Sequence, residues 1–122
     1  MIILIGGTGF IGKHLCTLLH GKSLPAVTFS RNPDSSFLNT YAPSIKGFEL
    51  TDNFDTEHAN IIKQASTIIY LASESIPSLA QHDISKEIST NIASATNILG
   101  RVAAINSRIN IIYLSSGGTV YG

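Results

Sequence analysis

The sequence predicts an α/β domain built on a doubly wound parallel sheet. Short apolar runs alternate with segments of helical periodicity, and the first run, Met1–Ile5, leads directly into a glycine-rich turn. A later run, Thr67–Ala72, is apolar at nearly every position, as expected for a parallel strand covered on both faces by helices. With right-handed crossovers, the expected arrangement is a three-layer Rossmann-type domain with strand order 3-2-1-4-5.

The first unit is a strand, a glycine turn and a helix. Four apolar residues recur at helical spacing after the turn, and Gly21 is a plausible end of the helix. They are Ile11, Leu15, Leu18 and Leu19. Cys16 falls within this pattern, so we interpret it as a small core residue and not as a nucleophile.

The middle of the chain predicts two more strands with a loop between them. Ala26–Phe29 follows Pro25 as the second strand, and Phe48–Leu50 suits the third. Residues 32–44 contain Pro33 and Pro43 among short polar residues, so we expect mostly loop there, with at most one turn of helix.

The remaining elements complete the alternation. A helix is predicted over Thr56–Ala65, with Asp55 or Thr56 as N-cap, followed by the fourth strand, Thr67–Ala72. A polar loop, Ser73–Ser78, a long helix, Ser85–Ala104, and a fifth strand, Ile109–Leu114, come next. We find no repeat or linker, so residues 1–122 read as one domain.

Composition excludes several classes of function. Lys+Arg and Asp+Glu both total 8, so there is no basic field for nucleic acid or an anionic membrane. No apolar run approaches the roughly 20 residues of a membrane span. The single cysteine and a strand that begins at Met1, leaving no room for a signal peptide, suggest a cytoplasmic protein. The histidines lack paired ligand spacing, so no metal site is expected.

The chemistry is expected at the glycine turn. Gly6, Gly9 and Gly12 are three residues apart. The first permits a tight turn, the second lets backbone N–H groups approach a diphosphate, and the third lets the helix pack on the strand. The anion would lie at the positive end of the helix dipole. An ordinary glycine turn between two packed elements is the alternative.

The end of the second strand carries Ser30 and Arg31, with no acid. At this position a carboxylate binds a free ribose 2′-OH, whereas an arginine accommodates a 2′-phosphate. The residues therefore favour NADP over NAD, unless Arg31 is only a solvated loop charge.

Two further segments end at the same edge of the sheet. The small residues of Leu71-Ala72-Ser73 would let a cofactor lie close to the backbone. Tyr113–Gly122 runs from a strand into a turn rich in serine and glycine, whose hydroxyls could donate to a substrate oxygen. A surface turn has the same composition.

Taken together, these residues resemble the extended short-chain dehydrogenase/reductases, within them the NAD(P)-dependent nucleotide-sugar epimerase/dehydratase group. The matching segments span the chain in order: Gly6–Gly12, Leu71–Ser73, Asn91 before Asn97-Ile98-Leu99, and Ser115–Gly122. The resemblance implies that Thr8, Phe10 and Ile11 line the cofactor phosphates and that Glu49-Leu50 contacts adenine. It further implies that Leu71, Ala72 and Ser73 flank the adenosine ribose, that Ser115 belongs to the cofactor site, and that Asn91 lies behind the nicotinamide. A helix-surface amide is the alternative for Asn91.

The sequence departs from the family pattern in three places. Gly117 stands where the family has its catalytic Ser or Thr, so Ser116 or Thr119 would have to take over. The family's Tyr-x-x-x-Lys pair lies some two dozen residues beyond this motif, and Tyr121 is no substitute. Glu49 replaces the usual aspartate.

The resemblance implies hydride transfer between a sugar carbon and a nicotinamide, so the expected function is the cofactor-binding portion of an epimerase, dehydratase or reductase. It also implies that residues 1–122 are the NAD(P)-binding domain, with the catalytic and substrate-binding part expected beyond residue 122. The expected partner of the full-length protein is a nucleotide sugar, and a homo-oligomer remains open. A non-catalytic NAD(P)-sensing module and a fragment that pairs through an exposed fifth strand are the alternatives.

Overall fold

The computed structural model describes residues 1–51, 53–72 and 88–114, which form one parallel sheet between helices. The strands are β1 (Ile2–Ile5), β2 (Ala26–Ser30), β3 (Lys46–Glu49), β4 (Thr67–Tyr70) and β5 (Asn110–Tyr113). Their order is β3-β2-β1-β4-β5 and every neighbouring pair is parallel. The predicted topology is therefore confirmed, with β1 at the centre, where the strand order reverses.

The helices are α1 (Phe10–Gly21), α2 (Ser35–Tyr41), α3 (Thr56–Gln64) and α4 (Ser94–Ile105), and a π-helical segment, Ile88–Ala93, precedes α4. Successive residues of β1 point to opposite faces of the sheet. Ile3 and Ile5 pack in one core with Ile62 of α3 and Val102 of α4. Leu4 packs in the other, which also contains residues of α1 and α2. The predicted three layers are confirmed.

The loop predicted over residues 32–44 was wrong in part, because it contains the two-turn helix α2. Asp34 caps this helix by accepting a hydrogen bond from the Phe37 N–H at 3.0 Å. Leu38 and Ala42 are buried against the α1 side of the sheet. The two prolines lie outside the helix, so they delimit it and do not prevent it.

The predicted face of α1 was wrong in part, since Leu19 is buried and Leu15 packs against the core, but the other two residues of the stripe are exposed. Ile11 and Leu18 are each 51% exposed, whereas the buried residues are Gly12, Cys16 and Leu19. The face is set by Gly12, which must lie against the turn that precedes the helix. An apolar stripe alone does not reveal that constraint.

The remaining predictions agree with the structure to within a few residues. Asp55 is the N-cap of α3, as one of the two alternatives proposed. The third strand begins earlier than predicted, at Lys46, because Lys46 and Gly47 pair with Val27 and Thr28 of β2. The long helix predicted from Ser85 is described from Ile88, where its first turns are π-helical. The predicted polar loop, Ser73–Ser78, lies outside the described residues.

Candidate functional site

The glycine turn follows β1 directly and lies against the end of β4. Gly6 has a φ of +84°, in the left-handed region that disfavours side chains. A Cβ atom at Gly6 would also lie 2.9 Å from the backbone nitrogen of Ala72. The backbone at this position therefore requires glycine both for its conformation and for its close approach to the neighbouring strand.

Several hydrogen bonds fix the backbone of the turn. The Gly6 N–H donates to the Phe29 carbonyl at 2.8 Å, and the Gly6 carbonyl accepts from the Gly9 N–H at 3.0 Å. The Thr8 N–H donates to Ser30 Oγ at 3.4 Å. The Cys16 thiol donates to the Gly7 carbonyl at 3.4 Å. Burial raises the pKa of this thiol to about 11, so it keeps its proton at neutral pH.

The amino end of α1 presents backbone donors beside this fixed turn. The first helical bond runs from the Lys13 N–H to the Gly9 carbonyl at 2.9 Å. The N–H groups of Phe10, Ile11 and Gly12 therefore have no acceptor within the helix. Gly9 provides no side-chain cap, and the first turn contains no acidic residue. A fixed cluster of amides at the positive end of a helix dipole is a binding site for an anion.

The carboxyl ends of β2 and β3 lie side by side next to the turn. The Leu50 N–H donates to the Ser30 carbonyl at 2.9 Å, and Thr8 Oγ1 donates to the Asn32 carbonyl at 3.4 Å. Arg31 and Glu49 are exposed, and Leu50 is half-buried. Ser30, in contrast, is buried. The structure thus brings together the predicted diphosphate, ribose and adenine segments.

An ion pair joins α1 to the loop that follows β2. Lys13 Nζ lies 2.6 Å from Asp34 Oδ2 and 4.9 Å from the centre of the Phe37 ring. Two hydrogen bonds lower the pKa of the Asp34 carboxyl. The bond from Lys13 has the larger effect and the bond from the Phe37 N–H the smaller one. The pair fixes the loop that carries Arg31 relative to the amino half of α1.

The remaining predicted residues fall into two groups. Leu71 and Ala72 lie beside the turn, since the Leu71 N–H donates to the Ile5 carbonyl at 2.8 Å. Asn91 lies half-buried in the π-helical segment, and its role beside the nicotinamide stays a prediction. Four predicted residues lie outside the described part of the chain: Ser73, Ser115, Ser116 and Thr119.

Sequence reasoning missed residues that support the site from behind. His58 is buried and contacts Asp55 Oδ1 through Nδ1 at 2.7 Å and the Glu49 carbonyl through Nε2 at 2.9 Å. It thereby joins the N-cap of α3 to the carboxyl end of β3. Two hydrogen bonds from His58 lower the pKa of the Asp55 carboxyl. The backbone N–H has the larger effect and the imidazole ring the smaller one. The sequence did offer one signal for support behind the turn, the polar Thr28 within the run Ala26–Phe29.

Across residues 1–51, 53–72 and 88–114, no three His, Cys, Asp or Glu side chains are grouped closely enough to hold a metal ion. Nor does any helix in these ranges combine the length and apolar character that a membrane span requires.

Two solved structures share this architecture. The UDP-glucose-4-epimerase of Stenotrophomonas maltophila, with bound NAD and formylated UDP-arabinopyranose, is 19% identical, with a TM-score of 0.80 over 99% of this chain and 38% of that one. The UDP-glucose 4-epimerase of Bifidobacterium longum, in complex with NAD+ and UDP, is also 19% identical, with a TM-score of 0.79 over the same shares of the two chains. At this identity they demonstrate a shared fold.

Sequence comparison identifies the family. The dTDP-4-dehydro-6-deoxyglucose reductase of Escherichia coli is 31% identical over 129 residues, which cover 99% of this chain and 40% of that protein. The chain thus spans about two fifths of the relatives it matches. Residues 2–122 match the family described as NAD dependent epimerase/dehydratase. The chain belongs to the NAD dependent epimerase/dehydratase family.

Proposed function

We propose that this chain is the cofactor-binding portion of a nucleotide-sugar epimerase, dehydratase or reductase, and that the Gly6–Gly12 turn binds the cofactor diphosphate. The observation that carries the proposal is the uncapped amino end of α1 behind a turn held by hydrogen bonds. An amide cluster fixed before the ligand arrives requires little ordering on binding. Thr8, Phe10 and Ile11 would line the phosphates.

The space around Gly9 fits a diphosphate. A Cβ atom at Gly9 would have only the Gly6 carbonyl oxygen within 4 Å, at 3.2 Å. The position therefore faces open space at the amide cluster, and an added methyl group would occupy the volume that a phosphate needs. Gly12 is different, because a Cβ there would lie 2.5 Å from the turn itself.

The other segments supply the remaining contacts. Glu49 and Leu50 would hold the adenine, Leu71 and Ala72 would flank the ribose, and Asn91 would lie behind the nicotinamide. When bound, the nicotinamide accepts or returns a hydride. The residues of this chain bind and orient the dinucleotide at the switch in strand order.

The cofactor is NADP or NAD, and Arg31 favours NADP. The guanidinium is exposed at the end of β2, where a 2′-phosphate would lie. The two epimerase structures hold NAD, so the family fold accommodates the unphosphorylated cofactor as well. Ser30 is buried against the turn, which leaves Arg31 as the residue through which this chain would discriminate.

The substrate of the whole protein would be a nucleotide sugar, as the names of the reductase and the epimerases suggest. The 122 residues contain no Tyr-x-x-x-Lys pair. We therefore expect this polypeptide to bind NAD(P) without turning over a sugar nucleotide, even if Ser116 or Thr119 supplies a hydroxyl. Turnover at ordinary rates would contradict this assignment.

Calorimetric titration with NAD+ and NADP+ tests the diphosphate site. The unmodified chain should bind at least one of the two nucleotides, and Gly9→Ala should abolish binding of both while leaving the fold intact. Gly21→Ala is the matched control, because a Cβ at Gly21 meets nothing within 4 Å. A folded wild-type protein that binds neither nucleotide at saturating concentration would overturn the proposal.

A second candidate follows from β5. All four of its residues are exposed, and within the described chain it pairs only with β4. A bare apolar edge favours association through strand pairing. Light scattering with and without nucleotide separates the candidates: a sensing module should be a monomer at all concentrations, whereas an edge-pairing fragment should be a dimer or larger.

A further inference from the structure

A line of polar contacts runs from the glycine turn into the sheet. Ser30 Oγ lies 3.4 Å from the Thr8 backbone nitrogen and 3.3 Å from Thr28 Oγ1. Thr28 Oγ1 in turn lies 3.1 Å from the Leu4 carbonyl oxygen. Thr28 is fully buried and Ser30 nearly so. The line therefore connects the turn to the backbone of β1 through two hydroxyl groups shielded from water.

The two ends of this line fix its direction. The Leu4 carbonyl can only accept, so Thr28 must donate its single hydroxyl proton there. Ser30 must then donate to Thr28 Oγ1, which leaves the Ser30 oxygen to accept from the Thr8 N–H. The four groups form a chain with one polarity, Thr8 to Ser30 to Thr28 to Leu4. Successive hydrogen bonds of one polarity strengthen each other.

The same hydroxyl defines where the turn lies. A Cβ atom at Gly7 would lie 2.3 Å from Thr28 Oγ1, so the backbone of the turn rests directly on this oxygen. The Gly7 carbonyl accepts a hydrogen bond from the Cys16 thiol at 3.4 Å. Loss of the Thr28 hydroxyl would therefore loosen the turn at Thr8 through Ser30, and a methyl group in its place would crowd the backbone at Gly7.

We propose that Thr28 and Ser30 are positioning residues that hold the Gly6–Gly12 turn in its binding conformation, and that the Ser30 hydroxyl does not contact the ribose. The inference rests on the proposed function, since it assigns a purpose to the turn. Both residues would then affect only the binding of the diphosphate, which NAD and NADP have in common. Cofactor choice should therefore be insensitive to either residue.

Titrations of Thr28→Val, Ser30→Ala and the double variant with NAD+ and NADP+ test this inference. Each single variant should bind both nucleotides more weakly by the same factor, roughly 3- to 10-fold, as expected for the loss of one neutral hydrogen bond. The double variant should be little worse than either single one, because both interrupt the same chain. Thr40→Val, which removes an exposed hydroxyl of α2, is the matched control and should leave the affinity for both nucleotides unchanged.

Thr28→Ser separates positioning from packing. It keeps the hydroxyl and loses a buried methyl group, whereas Thr28→Val keeps the volume and loses the hydroxyl. Affinity should follow the hydroxyl, so Thr28→Ser should bind like the wild type even where its melting temperature falls. If Thr28→Val does not fold, Ser30→Ala with Thr28→Ser provides the same comparison.

Three outcomes of the titrations would overturn the inference. Ser30→Ala could weaken binding while Thr28→Val leaves it unchanged, which would indicate direct contact between Ser30 and the ligand. The ratio of NAD+ to NADP+ affinity could change in either variant, or neither variant could have any effect. Hydrogen exchange of the Thr8 amide without nucleotide provides an independent readout: exchange should be faster in both variants, and unchanged protection would also overturn the inference. If the wild type binds no nucleotide while the Thr8 amide still exchanges faster in both variants than in the wild type, only the proposed function is contradicted.

Discussion

A Cβ atom built on Gly12 would lie 2.5 Å from the Cα atom of Gly7. The first turn of α1 therefore packs on the preceding turn as closely as two glycine backbones permit. This contact determines the rotation of the helix, since it directs Gly12, Cys16 and Leu19 inward. It also leaves Phe10 84% exposed beside the uncapped amides.

Gly12→Ala should destabilise the fold. No real Cβ tolerates a backbone atom at 2.5 Å, so the helix would have to move away from the turn, at a cost of about 1–3 kcal/mol. Urea unfolding measures the change. Gly100→Ala, a substitution inside α4 where a Cβ meets nothing within 4 Å, should instead leave stability unchanged or raise it by up to about 1 kcal/mol. Equal stabilities for the two variants would contradict the packing described here.

The topology was predictable because it depends on local signals. The apolar runs that became β1, β2 and β4 have no competing helical period, and alternation with helices requires parallel strands. The N-cap of α3 was predicted as Asp55 or Thr56, and Asp55 is the residue that caps the helix. The glycine spacing located the turn, and the turn located the candidate site at the carboxyl ends of the strands.

What the sequence could not predict depends on contacts between distant residues. The rotation of α1 follows from Gly12 against Gly7, and α2 is stabilised by the burial of Leu38, which polar neighbours conceal. The role of Ser30 at the ribose stays a prediction, but the contacts of its hydroxyl with Thr28 and the Thr8 N–H were not foreseen. Its orientation depends on the fit of the turn against β2, for which periodicity provides no signal.

Arg31→Asp should weaken NADP+ binding by roughly 1–3 kcal/mol, the range for losing a hydrogen bond to a charged group. NAD+ binding should change less, because NAD+ lacks the 2′-phosphate. Arg108→Asp is the matched control, since it makes the same change in charge at an exposed turn before β5, at the opposite end of the sheet. Unchanged NADP+ affinity in Arg31→Asp would identify Arg31 as a solvated loop charge.

The ion pair between Lys13 and Asp34 should make stability depend on pH in the acidic range. The folded state lowers the pKa of Asp34 below its ordinary value of 3.8, so the unfolded chain takes up the proton first as pH falls. The contribution of the ionised Asp34 to the free energy of unfolding is complete above pH 3.8. It is lost as the pH falls through the lowered pKa of Asp34 in the folded state. Urea unfolding of wild type and Asp34→Asn should therefore differ at neutral pH and converge in acid.

Salt provides a control for the same pair. Both side chains are partly exposed, so added salt should screen their attraction and reduce the difference between wild type and Asp34→Asn at neutral pH. The Phe37 N–H can still donate to the amide oxygen of an asparagine, so the cap of α2 is retained. A difference that is independent of both pH and salt would assign the effect of Asp34 to something other than Lys13.

Ile112→Lys should suppress association through β5. A lysine on an edge strand opposes pairing because its charge would have to be desolvated against a second strand. Light scattering should show a smaller mean mass for this variant than for the wild type at equal concentration. Leu18→Lys makes the same chemical change at an equally exposed site on α1 and should leave the mass unchanged. Equal masses in all three proteins would exclude edge pairing through this strand.

Cys16 should make stability fall in alkali, because the folded state holds its proton more tightly than the unfolded one. Burial raises the pKa of the thiol from 9.0 to about 11. Between these values the unfolded chain loses the proton while the folded chain keeps it, so the unfolding free energy decreases as pH rises. Cys16→Ser removes this titration and keeps a donor for the Gly7 carbonyl. The stability of wild type relative to Cys16→Ser should therefore decrease between pH 9 and 11, since the other titrating groups are common to both proteins. A relative stability that does not vary with pH would mean that the thiol is not held behind the turn.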